Sequence, residues 1–129
     1  SHANQLQANS GLLTDVSNTV DNFMTDLREH DASDEVTLMF FSEFGRRVKD
    51  NGSGTDHGAA GVAFVVGEHV KGGIYGQYPS LEPSQLEEGG NLKFNLDFRS
   101  VYSTILEEWF GLEANPIVNG NFERTKFFA

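Results

Sequence analysis

Val36-Thr37-Leu38-Met39-Phe40-Phe41 is an apolar run, and it sets our fold prediction for the whole chain. A run of this kind is typical of a strand that is covered on both faces, as in a parallel sheet. Val62–Val66 is a second such run. Residues 42–61 lie between the two runs, and they are polar, rich in glycine and without periodicity. We therefore predict two buried strands joined by a long loop, and loops of this length are often functional.

Helical spacing occurs on both sides of these strands. Residues 4–30 predict one long amphipathic helix, because their apolar residues recur every three or four positions. Residues 97–111 predict a second helix, with Asp97 as its N-terminal cap and Gly111 as its stop. Alternation in residues 92–96 predicts a half-exposed strand. Strands that alternate with helices favour an α/β fold with a mostly parallel sheet flanked by helices.

Length and composition restrict the class of protein. The chain has 129 residues, which predicts a single domain over residues 1–129. Eleven Phe and a hydrophobic content of 38% argue against disorder. The net charge of −10 argues against nucleic acid and anionic membranes as partners. No apolar run reaches the roughly 20 residues that cross a bilayer, and the absence of cysteine excludes disulfides and thiolate metal sites.

Gly54-Thr55-Asp56-His57-Gly58 is the segment in which we expect chemistry. A carboxylate next to an imidazole supplies two ligands of the kind that Zn²⁺ and Mn²⁺ accept. Glu43 follows the first predicted strand, at the carboxyl edge where ligands bind in α/β sheets, and the long loop can bring Asp56 and His57 over that edge. From spacing alone, an Asp-His pair in a glycine turn is more often a turn with a capping Asp. The residues by themselves leave both interpretations open.

Arg46 and Arg47 form a positive pair in an acidic chain. A guanidinium group matches phosphate or sulfate in a bidentate way, so this pair is a candidate contact for an anionic substrate. Arg46 is the better candidate because Gly45 leaves its backbone approachable. The alternative is that the pair binds neighbouring carboxylates such as Asp50.

Four motifs in order make the chain recognisable, namely Thr37–Arg46, Gly54–Gly58, Val70–Gly76 and Asp97–Tyr102. They resemble the C-terminal portion of the domain-of-unknown-function 1501 family, which is sulfatase-like and similar to the alkaline phosphatase superfamily. His2-Ala3-Asn4-Gln5 also resembles that family's Asp-Thr-His-x-x-Gln stretch. The resemblance runs almost from end to end of this chain and covers only the C-terminal part of the family's length.

The resemblance implies a site for two divalent metals, zinc or manganese. On the register that strand order favours, His57 and His2 match two ligand histidines, and Glu43 replaces a ligand Asp. Phe44 then stands where a further ligand His is expected, so one of the two metals is absent or differently held. On the other register, Asp56 and His57 are themselves the metal-binding Asp-His pair. Asp56 can also support a ligand histidine by accepting its N–H.

The function implied by the resemblance is metal-dependent hydrolysis of a phosphate or sulfate ester, with Arg46 as a contact for the anionic group. The chain begins Ser1-His2-Ala3 without an initiator Met, so we expect a C-terminal piece of a larger sulfatase-like domain. The family's nucleophile and N-terminal Asp are not in this sequence. We therefore expect no activity from the piece alone, and whether it retains a metal is left open.

Two alternatives to the enzyme remain at this point. One is a non-catalytic relative that binds a glycan or another protein. The other is a stable piece without a function of its own, which pairs with its missing N-terminal part or with another copy through an exposed sheet edge. The family's export signals imply a periplasmic or secreted parent protein.

Overall fold

The computed structural model describes residues 2–129, which form one long helix and several short helices and strands. The helices are α1 (Gln5–Glu29), α2 (Phe98–Thr104, continued by a π-helical turn at Ile105–Trp109) and α3 (Asn115–Val118). The strands are β1 (Leu38–Phe40), β2 (Gly45–Asp50), β3 (Thr55–Gly58) and β4 (Phe64–Val66). Three 3₁₀ turns lie at Ser33–Glu35, Pro83–Gln85 and Glu88–Gly90.

Both predicted helices are confirmed. Helix α1 starts and ends within one residue of the predicted range. The second helix begins after Asp97, whose side chain accepts a hydrogen bond from the backbone N–H of Arg99. Gly111 follows the π-helical turn with a φ of +65°, a conformation that glycine adopts at little cost. Among residues 2–129, no helix is both long and apolar enough to span a lipid bilayer.

The prediction of a mostly parallel sheet flanked by helices is wrong. The described residues form two separate sheets of two strands each, and both pairs are antiparallel. Strand β1 pairs with β4, so that Leu38 lies opposite Val66 and Phe40 opposite Phe64. The apolar runs did mark these two strands, but an apolar run does not tell the direction of its partner. Both strands are also only partly buried, and the Phe64 side chain is 56% exposed.

The prediction of one long loop over residues 42–61 is wrong in part, because a hairpin of β2 and β3 occupies most of it. Its turn is built by side chains: Asp50 accepts from the Gly52 N–H at 2.6 Å, and Asn51 accepts from the N–H of Ser53 at 3.1 Å and of Gly54 at 2.8 Å. Such local bonds let a polar segment form a hairpin without an apolar pattern.

The strand predicted at residues 92–96 is also absent from the described structure, where this stretch is irregular. A side chain replaces the expected strand pairing. The amide group of Asn95 donates to the carbonyl of Gln77, and its oxygen accepts from the Gln77 N–H at 2.9 Å. One side-chain amide thus satisfies both backbone groups of Gln77.

The chain packs as two compact units. The first comprises Ser1–Glu68 and Ser80–Lys93, and it contains α1 and both sheets, with Met24 and Ala60 as its buried apolar residues. The second comprises His69–Pro79 and Phe94–Ala129, and it buries mainly small and aromatic side chains: Ser100, Ser103, Thr104, Ala114 and Phe127. Our expectation of one domain over residues 1–129, the C-terminal part of a larger one, stays a prediction.

Asp97 is expected to make the second unit sensitive to acid. Its carboxylate accepts from Nε and Nη2 of Arg99 at 2.9 and 2.7 Å, and these bonds chiefly lower the pKa of Asp97. Because the folded-state pKa is lowered, this stabilisation is present above the unfolded pKa of about 3.9 and is lost as the pH falls through the folded value.

Replacement of Asp97 by alanine is therefore expected to lower the free energy of unfolding by about 1–2 kcal/mol near neutral pH, because α2 loses its cap. Asp97→Asn keeps a capping side chain but loses the ionic bonds, so it should cost less, and it should lose less stability as the pH falls from about 5 through the unfolded pKa of about 3.9 and the lower folded pKa. Urea unfolding across this range measures both. Equal acid sensitivity of Asp97→Asn and wild type would contradict the assignment.

Candidate functional site

The β2–β3 hairpin carries two of the predicted site residues, Asp56 and His57. Both strands come close together at Gly45 and Gly58, which lie opposite each other. A Cβ atom at Gly58 would lie 2.6 Å from the backbone of Arg46, so the glycine is needed for this close approach. In the next register position His57 lies opposite Arg46.

The start of the chain lies against the turn of this hairpin. Ser53 accepts from the N–H of Asn4 through its hydroxyl at 2.6 Å, and from the N–H of Gln5 through its carbonyl at 3.0 Å. The Gln5 side chain accepts from the Thr55 hydroxyl at 2.9 Å. These bonds bring His2 to a position beside His57, although 55 residues separate the two in sequence.

His2 contacts both hairpin residues through its ring nitrogens. Its Nδ1 lies 3.3 Å from Oδ1 of Asp56, and its Nε2 lies 2.9 Å from Nε2 of His57. The side chains of His2 and Asp56 are 57% and 56% exposed, so this group is open to solvent and to a ligand. The structure therefore brings three of the predicted site residues into one hydrogen-bonded group.

The pKa of the Asp56 carboxyl is lowered, first by the hydrogen bond from Asn51 and then by the one from His2. An ionised carboxylate only accepts, so the proton of a neutral His2 must be on Nδ1. Nε2 of His2 then carries a lone pair, and Nε2 of His57 must donate the proton of their 2.9 Å contact. The tautomers of both histidines thus follow from the one carboxylate.

His57 is held in place by an aromatic neighbour. The ring of Phe44 stacks on it with the centroids 3.5 Å apart and the planes 15° from parallel. The pKa of His57 is lowered, mainly by the partial loss of hydration around the ring and then by the positive charges of His2 and Arg46, while Glu43 opposes this shift. A lowered pKa favours the neutral imidazole, which is the form that binds metals.

Arg46 and Glu43 lie beside this group, and among the described residues their side chains make no hydrogen bond to the side chains of His2, Asp56 or His57. Nη1 of Arg46 donates to the carbonyl of Thr55 at 2.7 Å, and its guanidinium carbon lies 5.3 Å from the centre of the Phe44 ring. Glu43 is exposed, and its carboxylate lies 3.4 Å from the Ser42 hydroxyl. The site roles predicted for these two residues stay predictions.

The histidine pair fits part of a metal site. Two imidazole nitrogens on one tetrahedral zinc ion are expected to lie roughly 3.3 Å apart, because each Zn–N bond is about 2.0–2.1 Å. The two Nε2 atoms are 2.9 Å apart, so both could bind one ion after the rings separate slightly and the proton on Nε2 of His57 moves to its Nδ1. A complete site needs more ligands, and residues 2–129 contain no cluster of three His, Cys, Asp or Glu side chains arranged to hold a metal. The pair thus offers two ligands and leaves the others to be supplied by other groups.

Sequence reasoning missed two residues of this site, Asn51 and Ser53. Asn51 donates from Nδ2 to Oδ1 of Asp56 at 3.0 Å and to the carbonyl of His2 at 3.1 Å. The signal for the turn was present, since Asn51-Gly52 is a strong hairpin dipeptide. No sequence signal tells that Ser53 would bind the start of α1.

Comparison with known proteins gives one finding on identity. The family model for a protein of unknown function, DUF1501, matches residues 1–119, which is most of the chain. Neither the comparison with curated proteins nor that with solved structures found a match. The match confirms the family that the four motifs and the His2–Gln5 stretch resemble, and the chain belongs to the DUF1501 family of proteins of unknown function.

Proposed function

We propose that this chain contributes two histidine ligands, His2 and His57, to a divalent-metal site in a hydrolase of phosphate or sulfate esters. One observation carries the proposal, which is the 2.9 Å separation of their Nε2 atoms. The resemblance of the four motifs to sulfatase-like sequences is the reason for choosing ester hydrolysis as the proposed reaction.

The surroundings of the pair also favour a metal site over a hydrogen bond that only stabilises the fold. Histidines that bind metals almost always donate their other ring N–H to a carboxylate or carbonyl, and Asp56 accepts from Nδ1 of His2 in this way. A hydrogen bond between exposed side chains stabilises a fold only weakly, because water competes for the same groups, so stability alone explains little of the ordering of two exposed imidazoles. The ring of Phe44 also restricts how His57 can rotate.

Each residue of the group has a proposed role. His2 and His57 bind the metal, zinc or manganese, and Asp56 orients His2. Glu43 is proposed as a further ligand, and other ligands come from elsewhere in the protein or from water. Arg46 binds an anionic oxygen of the ester, since the bond from its guanidinium group to Thr55 uses only part of a fork of five N–H donors. The bound metal would polarise the ester and neutralise its charge.

Metal binding is the first test. Isothermal titration with Zn²⁺ and with Mn²⁺, on the longest form of the protein that the native gene encodes, is expected to show one site. His2→Ala and His57→Ala should each weaken it by more than about 100-fold, which exceeds the 10–100-fold typical of residues that only support a ligand. His30→Ala and His69→Ala, which change the other two histidines of the chain, are the matched controls. Equal losses in all four variants, or no binding by wild type, would contradict the proposal.

Hydrolysis is the second test, and it uses the longest form of the protein that the native gene encodes. Nitrophenyl phosphate and nitrophenyl sulfate are suitable generic esters. Activity that needs added metal and is lost in His57→Ala supports the enzyme. Arg46→Lys keeps the charge but loses the bidentate fork, so it is expected to raise KM for the preferred ester.

A non-catalytic binding protein is the second candidate function. The Phe44 ring, at a place where a histidine ligand is expected from the resemblance, supports it, and so does the lack of a third ligand among the described residues. A glycan or protein partner would then replace the ester. Glycan binding that survives chelation, in a protein without esterase activity, would favour this candidate.

Two further proposals concern partners and location. Among the described residues each small sheet has only two strands, and large apolar side chains in or near β4 and on α1 are exposed: Leu6, Leu12, Leu13, Val16, Val62 and Phe64. These surfaces suit packing against the remainder of a larger sulfatase-like domain or pairing with a second copy. A periplasmic or secreted location is proposed from the resemblance.

A further inference from the structure

Asn51 has a side chain whose hydrogen bonds are all used, although it lies on the exposed turn of the hairpin. Its oxygen accepts from the N–H groups of Ser53 and Gly54, at 3.1 and 2.8 Å. Its nitrogen donates to Oδ1 of Asp56 at 3.0 Å and to the carbonyl oxygen of His2 at 3.1 Å. A primary amide offers two donors and two acceptor positions, so all four are engaged.

These four bonds fix which way the amide faces. If the amide were turned over, its NH₂ group would face the two N–H donors of the turn, and its oxygen would face two acceptors. The turn therefore orients the side-chain NH₂ group of Asn51 so that one N–H donates to the backbone carbonyl of His2 and the other to the carboxylate of Asp56. One residue thereby joins the hairpin turn to the start of the chain.

We propose that Asn51 is a positioning residue. It sets the tautomer of His2 and holds the Nε2 atom of His2 toward the Nε2 atom of His57. Asn51 acts in two ways. It holds the backbone of His2 beside the hairpin, and it holds Oδ1 of Asp56 where that oxygen accepts the Nδ1 proton of His2. As a result Nε2 of His2 carries the lone pair that a metal ligand needs.

This inference rests on the proposed function only where it concerns metal affinity, because the tautomer of His2 is a property of the chain alone. Without the amide, the backbone of His2 loses its hydrogen bond to the hairpin. The Asp56 carboxylate also loses the donor that holds it toward the His2 ring. The His2 ring would then sample both tautomers and more than one orientation.

Two variants separate this role from the stability of the turn. Asn51→Ala removes both functions of the side chain. Asn51→Asp keeps an oxygen that accepts from Ser53 and Gly54, but it replaces the NH₂ donor with a second oxygen that repels Asp56. Asp50→Ala is the matched control, because Asp50 supports the same turn through the Gly52 N–H and bonds to neither histidine.

The first readout is the tautomer of His2, measured by ¹⁵N NMR of the imidazole nitrogens at about pH 8, above the usual histidine pKa of about 6.5. Wild type and Asp50→Ala are expected to show His2 mainly protonated at Nδ1. In Asn51→Ala and Asn51→Asp the ratio of the Nδ1–H to the Nε2–H form should fall by roughly tenfold, which is the scale of one charge-assisted hydrogen bond. Backbone spectra report whether the hairpin stays folded.

The second readout is the affinity for Zn²⁺, which should fall by about 10–100-fold in Asn51→Ala and stay unchanged in Asp50→Ala. An unchanged His2 tautomer in both Asn51 variants would overturn the inference, and so would an equal shift in Asp50→Ala. A wild-type chain that binds no zinc but shows the tautomer shift would contradict the proposed metal site while supporting the role of Asn51.

Discussion

Gly45→Ala is expected to unfold the hairpin and to separate His57 from His2, with a loss of more than about 3 kcal/mol in the free energy of unfolding. A Cβ atom at residue 45 would overlap the backbone carbonyl of Ala60. That carbonyl accepts from the Arg46 N–H at 3.2 Å, and Ala60 is one of the few buried residues of the first unit. A backbone group in this position cannot move aside without breaking that bond.

The same substitution at Gly11 is the matched control. Gly11 lies inside α1, and no atom lies within 4 Å of the place where its Cβ would stand. Gly11→Ala is therefore expected to stabilise the helix, by up to about 1 kcal/mol, since alanine loses less backbone freedom. Urea unfolding and NMR contacts between His2 and His57 measure both variants. A Gly45→Ala protein that keeps the histidine contact and unfolds like wild type would show that the hairpin is not fixed by this glycine.

The two main helices could be predicted from the sequence because their signals are local. Helix α1 shows its period over 25 residues, and α2 is marked by a cap at Asp97 and a stop at Gly111. Each of these signals acts between residues that are close in sequence. Such elements are predictable even when their tertiary surroundings are not.

The sheets could not be predicted in the same way. Strand direction depends on which distant segment supplies the partner, and the runs at β1 and β4 carry no information about that choice. The β2–β3 hairpin lacks an apolar pattern, and bonds from Asp50 and Asn51 and close contacts at Gly45 and Gly58 hold it together. Its one sequence signal was the Asn51-Gly52 dipeptide.

The candidate site was predictable in its residues and not in its geometry. The favoured register named His2 and His57 as ligands, with Asp56 as a ligand or as a carboxylate that accepts a histidine N–H, but it gave no contact geometry. In the structure His2 contacts both Asp56 and His57. This arrangement depends on the bonds that Ser53 makes to the start of α1, which no pattern in the sequence indicates. The residue types indicated which side chains could belong to the site. Hydrogen bonds between segments that are distant in sequence determine which of these side chains are in contact.

Zinc is expected to stabilise the folded chain strongly, because the two proposed ligands are brought together only by folding. His2 and His57 are 55 residues apart in sequence, so the unfolded chain seldom presents both to one ion. A ligand that binds only the folded state stabilises it by about 2.7 kcal/mol when its free concentration is 100 times its Kd. For a chain of this size, that corresponds to a rise in Tm of roughly 10 °C.

The effect should be absent in His2→Ala and in His57→Ala, and the double variant should behave like either single one, since the loss of one ligand already breaks the link between the two segments. Mg²⁺ at the same concentration is the control ion, because it prefers oxygen ligands and should leave the Tm unchanged. Chelation should reverse the shift. If zinc raised the Tm of His57→Ala as much as that of wild type, the ion would be binding elsewhere, because only a site that uses both histidines ties the start of the chain to the hairpin.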